Sequence, residues 1–255
     1  MILALIGALF IGLTLGLLGS GGSILTVPVL TYLVGQETKL AIASALFIVG
    51  IVSCISAFAY ARQKYIRWST VWLFGLPGMA GAMVGAWGAH FVSDVIQMLG
   101  FAALMLMAAY LMYKPLALKP NGHQYIERSV YKIIADGFVV GVVTGMVGVG
   151  GGFLIIPALV LLGGLSMRLA VGTSLVITSM KSFAGFFGYL SVLQSLNLTI
   201  DWSVIGLFAL IGSLGGLLGN LVSQRVNQQR LKQAFAVCLM LMGLFILVEQ
   251  ALTLL

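Results

Sequence analysis

The sequence predicts an all-α polytopic membrane protein built from two inverted-topology repeats, each a broken-helix (re-entrant) hairpin plus three transmembrane helices. Hydrophobic residues make up 61% of the 255 residues and charged residues only 7%, which is too few charges for the surface of a soluble domain. The motif GSGGSILTVP at 19–28 recurs as GVGGGFLIIP at 148–157, a spacing of 129 residues. Such internal duplication indicates two structural repeats.

The first repeat covers residues 1–113 and begins with the predicted hairpin, 2–34. An apolar run at 2–18 is followed by the glycine-rich break and a second run at about 24–34. Eleven helical residues rise only about 16 Å, roughly half of a hydrocarbon core about 30 Å thick, so the second run is too short to span it. The longer apolar segments that follow predict transmembrane helices at 40–61, 69–91 and 95–113.

A polar linker at 114–132 contains two prolines and an Asn-Gly pair, which are typical of a surface segment. The second repeat, 133–255, has the same order of elements as the first. Its predicted hairpin covers 133–163, and its predicted helices cover 169–193, 202–224 and 232–254.

The basic residues predict opposite orientations for the two repeats. The 62–67 loop has three basic residues whereas the equivalent 194–201 has none, and the 90–94 loop has none whereas 225–232 has three. If 62–67, the linker, Arg168 and 225–232 face the cytoplasm, eleven of the thirteen Lys and Arg residues lie inside. This requires an odd number of crossings per half. A hairpin with three crossings meets the condition, as would five thin crossings, and both termini are then extracytoplasmic.

The two glycine-rich tips form the predicted substrate site. A helix that begins after a glycine break offers unpaired backbone N–H groups and the positive end of its dipole, which favour anions. Tips entering from opposite faces would meet near the midplane, as in inverted-repeat transporters. The alternative is a packing turn, as we expect for the Gly81 and Gly85 pair and the Gly215 and Gly219 pair. The tip residues are Gly19, Ser20, Gly21, Gly22, Ser23, Gly148, Val149, Gly150, Gly151 and Gly152.

Lys181 is the most informative single residue. It lies about twelve residues into a predicted helix, roughly 18 Å deep, where a lysine costs about 2.5 to 3.5 kcal/mol. Beside two positive helix ends it would attract an anion. Snorkelling or loss of its proton is the alternative. Hydroxyls from Ser44, Thr173 and Ser174 complete the predicted site, although helix-to-helix hydrogen bonds would equally account for them.

Other function classes lack their motifs. The glycine motif has neither the Gly-Lys-Ser/Thr ending of a P-loop nor the βαβ context of a dinucleotide fold. No hydrolase or metalloprotease signature is present, so no catalytic residue, enzyme activity or cofactor is predicted. Cys54 and Cys238 lie in apolar helices, which indicates neither a disulfide nor a metal site. The predicted partners are a small anion and the lipid bilayer, without nucleic acid, and a homodimer is left open.

The paired stretches GLLGSGGSILTVPVL and GMVGVGGGFLIIPAL, each followed by a small-residue and hydroxyl run, AIASAL and AVGTSL, resemble the signatures of the sulfite exporter TauE/SafE family. The resemblance covers nearly the whole chain. It implies a multi-pass inner-membrane transporter, usually an exporter, of sulfur-containing anions such as sulfite or sulfonates such as sulfoacetate. It also implies that Pro28, Pro157 and Gly172 are positions of the family motif. The expected mechanism is alternating access by a secondary transporter, and a passive anion channel of the same fold is the alternative.

Overall fold

The computed structural model describes residues 2–20, 23, 26–89, 94–113, 129–147, 152–195 and 198–254. Within these ranges the chain forms helices and no strands, which confirms the all-helical class. Four of the described helices are long and apolar enough to cross a membrane, over Leu40–Arg62, Met167–Gly188, Trp202–Arg225 and Gln228–Val248.

In the first half, a long helix is followed by a short one and then by three more long helices. The short helix α2, Thr26–Pro28, continues as a π-helical turn, Val29–Leu33, so this segment is not one regular α-helix. The bounds are α1 Ile2–Leu18, α2 Thr26–Pro28, α3 Thr38–Arg62, α4 Trp68–Ala89 and α5 Asp94–Tyr113.

The second half has the same order of elements, including a π-helical turn, Ala158–Leu162, directly after its own short helix. Because each π turn follows a proline, Pro28 or Pro157, the loss of a backbone N–H donor coincides with the change in helical geometry. The bounds are α6 Val130–Val147, α7 Gly152–Pro157, α8 Met167–Ser195, α9 Trp202–Arg225 and α10 Gln228–Leu254. The inversion of one half relative to the other stays a prediction.

The chain divides into two compact units that do not coincide with its two halves. Unit 1 contains Met1–Trp68 and Arg168–Val226, and unit 2 contains Ser69–Met167 and Asn227–Leu255. In unit 1, α1 packs along α9, a helix from the other half of the sequence. In unit 2, α4 packs in the same way against α6, and α5 packs against α10.

Glycines make the α1–α9 contact close enough for backbone to touch backbone. A Cβ atom added at Gly12 would overlap the carbonyl of Gly212, and one added at Gly16 would overlap that of Gly216. The contact is equally close on the α9 side, because a Cβ atom added at Gly215 would overlap the backbone of Leu9 on α1. Small residues permit such close packing in membranes, where lipid is as apolar as the helices.

Unit 2 contains the matching contact. A Cβ atom added at Gly141 of α6 would overlap the carbonyl of Gly78 on α4, and one at Gly81 would overlap that of Phe138. The predicted packing role is therefore confirmed for Gly81 in this unit and for Gly215 and Gly219 in unit 1.

The outer faces of the helices are apolar. On α9, Leu210, Leu214 and Leu221 are each more than half exposed, a pattern that water would penalise and that lipid accommodates. The core of unit 1 lies on the opposite side of the helix, where Ile205 and Phe208 pack with Ala8, Ile11 and Leu15 of α1. Apolar residues on both the buried and the exposed faces fit helices that are surrounded by lipid.

Candidate functional site

Most of the sequence-predicted site lies in unit 1. That unit contains the first tip, Ser44 on α3, and Thr173, Ser174 and Lys181 on α8. The second tip lies in unit 2, and the convergence of the two tips stays a prediction. Of the tip residues, Gly21, Gly22, Gly148, Val149, Gly150 and Gly151 lie outside the described ranges, while Gly152 is the first residue of α7.

The first tip starts with a backbone geometry that requires glycine. Gly19 has φ of +64°, in the left-handed region that side chains disfavour, and α1 ends at the residue before it. Ser20 follows and is fully buried, and the Ser23 hydroxyl donates to the Ser20 carbonyl at 2.7 Å. The hydroxyl of Ser23, one of the tip residues of the predicted substrate site, thus stabilises the local turn.

Tyr60 anchors the end of α1 just before this break. Its buried hydroxyl lies 2.8 Å from the Gly16 carbonyl and 3.0 Å from the Ser223 hydroxyl of α9. The last four carbonyls of a helix have no intrahelical partner, so a side-chain donor at this point stabilises the interruption. Tyr60 could not be recognised from the sequence, because nothing in an apolar run marks which tyrosine will contact a helix end.

A polar cluster continues from Tyr60 at the same end of unit 1. The Asn220 side-chain oxygen accepts from Gln63 at 3.4 Å and from Gln224 at 3.2 Å. Arg168, at the start of α8, donates to the backbone carbonyls of Gln224 at 2.9 Å and Val226 at 3.2 Å. Since α9 ends at Arg225, this guanidinium satisfies carbonyls at a helix C-terminus, where a positive charge is also favoured.

The hydroxyls predicted for the substrate differ in whether the protein already uses them. The Thr173 oxygen accepts from the Arg67 backbone N–H at 3.1 Å, and Ser174 donates to the Val171 carbonyl at 2.9 Å. Ser44, which is equivalent to Thr173 in the repeat, is fully buried, and its hydroxyl has no partner within the described residues. Gly172 fits against the Tyr65 carbonyl, so this motif glycine has a packing role.

Lys181 is partly buried in the middle of α8. The two acidic residues of unit 1, Glu37 and Asp201, precede α3 and α9, respectively, and so lie at helix ends. Asp201 is occupied as a helix cap, accepting from the backbone N–H groups of Ser203 and Val204. Lys181 therefore has no carboxylate of its own unit at its depth.

One open cleft lies at an end of unit 1, with a volume of about 450 Å³. Glu37 and Asp201 both line it, beside Gln36 and Thr199. Two carboxylates in its lining disfavour the binding of an anion there. Within the described ranges, no group of three or more His, Cys, Asp or Glu residues is arranged to hold a metal ion.

Comparison with known proteins supports a membrane transporter. The profile of the sulfite exporter TauE/SafE family matches residues 4–246. The chain belongs to this family. The resemblance that rested on the two glycine motifs is thereby confirmed.

Relatives from bacteria and archaea align with nearly the whole chain. A protein of Xylella fastidiosa (strain 9a5c) is 30% identical over 243 residues, covering 93% of this chain and 91% of its own. YunE of Bacillus subtilis is 27% identical over 97% of both chains, and a Methanocaldococcus jannaschii protein is 26% identical over 94% of both. All three are named probable membrane transporter proteins. No solved structure matches the chain.

Proposed function

We propose that this member of the TauE/SafE family is a secondary transporter that exports small sulfur-containing oxyanions, such as sulfite or the organosulfonate sulfoacetate. The observation that carries this proposal is Lys181, a basic residue in the span Met167–Gly188 whose own unit offers no acidic residue away from helix ends. A charge at such a depth is costly and marks a functional site by default. Its sign selects an anion.

The first tip supplies the second part of the proposed site. Gly19 turns the chain out of α1, and in this proposal the glycines that follow it in the sequence allow the backbone to come close to the anion. Lys181 and this tip belong to the same compact unit. In the proposed mechanism the second tip meets them from the other face, and alternating access exposes the anion to one side at a time.

A flux panel in liposomes tests the substrate class. We expect saturable uptake and counterflow of sulfite and sulfoacetate by the reconstituted protein, with sulfate and thiosulfate ranked in the same assay. Taurine is the matched control, because its ammonium group cancels the charge of the same sulfonate headgroup. Counterflow indicates a carrier, whereas single-channel conductance would indicate that the protein is a channel. Absence of flux for every anion in the panel would refute the proposed function.

The proposed orientation places both termini on the extracytoplasmic side of the inner membrane and the linker on the cytoplasmic side. We expect cysteines at Lys64, after α3, and at Thr199, before α9, to react with an impermeant maleimide from opposite sides. Both native side chains are exposed. The background chain would carry alanine at Cys54 and Cys238, and permeabilised cells would serve as the control for reactivity. Labelling of both positions in intact cells would contradict the inverted arrangement.

A further inference from the structure

Thr178 is a buried hydroxyl that neither the sequence analysis nor the family motif singles out. Only 4% of its surface is exposed, and its hydroxyl oxygen has no hydrogen-bond partner among the described residues. A hydroxyl buried in this way is unfavourable unless something bonds to it. The position therefore needs either a protein group or a ligand to account for it.

Several other helical hydroxyls in this protein bond to a carbonyl of their own helix. Thr14 donates to the carbonyls of Phe10 and Ile11, Thr144 to that of Gly141, and Ser213 to that of Ala209. Each of these partners lies three or four residues back along the same helix, the usual arrangement for Ser and Thr. Thr178 lacks such a bond, as do Ser44, Ser53 and Ser56 of α3, although eleven residues of its own helix precede it.

Thr178 is placed beside Lys181 by helix geometry. Residues three and four apart share a face, with Cβ atoms about 5–6 Å apart, so Ser174, Thr178 and Lys181 form one stripe along α8. Long helical side chains also lean toward the N-terminus, which carries the Lys181 chain over the turn that contains Thr178. The Ser174 hydroxyl in the same stripe already donates a hydrogen bond to the Val171 carbonyl. Thr178 is the remaining hydroxyl of the stripe.

From these observations we infer that the Thr178 hydroxyl donates a hydrogen bond to the sulfur oxyanion held by Lys181, an inference that rests on the proposed function. The ammonium group supplies charge, and the hydroxyl supplies direction, since an oxyanion oxygen accepts a hydrogen bond along a defined line. Thr178 is thus an affinity-determining residue of the site. A bound anion would also satisfy the one hydroxyl of the stripe that has no partner in the described part of the chain.

Sulfite binding to the purified full-length protein, measured by calorimetry in nanodiscs, tests this inference. Thr178→Val exchanges the hydroxyl for a methyl group of the same shape, and we expect sulfite affinity to fall about 10- to 100-fold. Thermal stability should stay the same or rise, because no native hydrogen bond is lost. Thr178→Ser should restore most of the affinity.

Ser179→Ala is the matched control, because the neighbouring Ser179 donates to the Gly50 carbonyl at 3.0 Å. It should lower stability and leave sulfite affinity unchanged. Unaltered binding by Thr178→Val, or a loss of binding that accompanies a lower unfolding temperature, would overturn the inference. If Lys181→Met abolishes binding while Thr178→Val does not, the proposed function stands and the role of Thr178 falls. Failure of the wild-type protein to bind sulfite, sulfate, thiosulfate or sulfoacetate would refute both.

Discussion

Replacing Lys181 by methionine is expected to reduce sulfite flux in liposomes by two to three orders of magnitude. Methionine keeps much of the length and apolar volume of the lysine stem but removes the charge. A unit charge about 4 Å from an anion is worth about 4 kcal/mol at an effective dielectric constant of about 20, which corresponds to about a thousandfold in affinity. Initial rates at sub-saturating sulfite are the appropriate measurement.

The same substitution should not harm insertion or folding. A lysine in the middle of a membrane helix costs about 2.5 to 3.5 kcal/mol, so Lys181→Met should express as well as the wild type or better. Lys64→Met removes a basic residue from the exposed loop after α3 and should leave flux unchanged. Wild-type flux in Lys181→Met would remove this residue from the site and with it the main support for an anion substrate.

Gly12→Ala is expected to have the largest effect on folding. The added methyl group would overlap the Gly212 carbonyl, and because its neighbour is backbone, no side chain can rotate away. Overpacking by a methyl group costs about 1–3 kcal/mol even in adaptable cores. We therefore expect a lower unfolding temperature and a reduced monodisperse fraction in size-exclusion chromatography. Gly141→Ala should behave similarly in unit 2, where the overlap is with Gly78.

Gly206→Ala is the control for the glycine substitutions. Gly206 lies on α9, as does Gly212, but a Cβ atom added there would have no neighbour within 4 Å. Alanine is the better helix former by about 1 kcal/mol, so this variant should be as stable as the wild type or more stable. If Gly12→Ala matched Gly206→Ala in unfolding temperature, the close α1–α9 contact would be wrong.

Much of the local structure follows from residue types along the chain. Long apolar runs predict helices such as α3 and α9, since a segment in lipid must satisfy its backbone hydrogen bonds internally. The position of Lys181 in the middle of a helix and the packing role of Gly215 also follow from sequence spacing alone. These features depend on helical period and length, which neighbouring residues encode.

Which helices pack against each other does not follow from the sequence in the same way. The glycine faces of α4 and α9 look alike, and nothing local indicates that α1 packs on α9, a helix from the other half of the chain. For the same reason Tyr60, which meets a carbonyl 44 residues away, could not be recognised as an anchor of the first tip. Such pairings join residues distant in sequence, and only the folded chain selects among them.

The sequence by itself determined the helical membrane class, the duplicated glycine motif and the position of Lys181 in the middle of a helix, because composition and spacing encode these directly. The tertiary structure decided which hydroxyls of α3 and α8 already have hydrogen bonds within the protein. Ser174 looks like an obvious donor in the motif, yet its hydroxyl already donates to Val171, and the Thr173 oxygen accepts from the Arg67 backbone N–H, whereas Ser44 and Thr178 have no partner among the described residues. A hydroxyl's capacity to bind a solute depends on the partners it meets after folding, and those partners come from other turns and other helices.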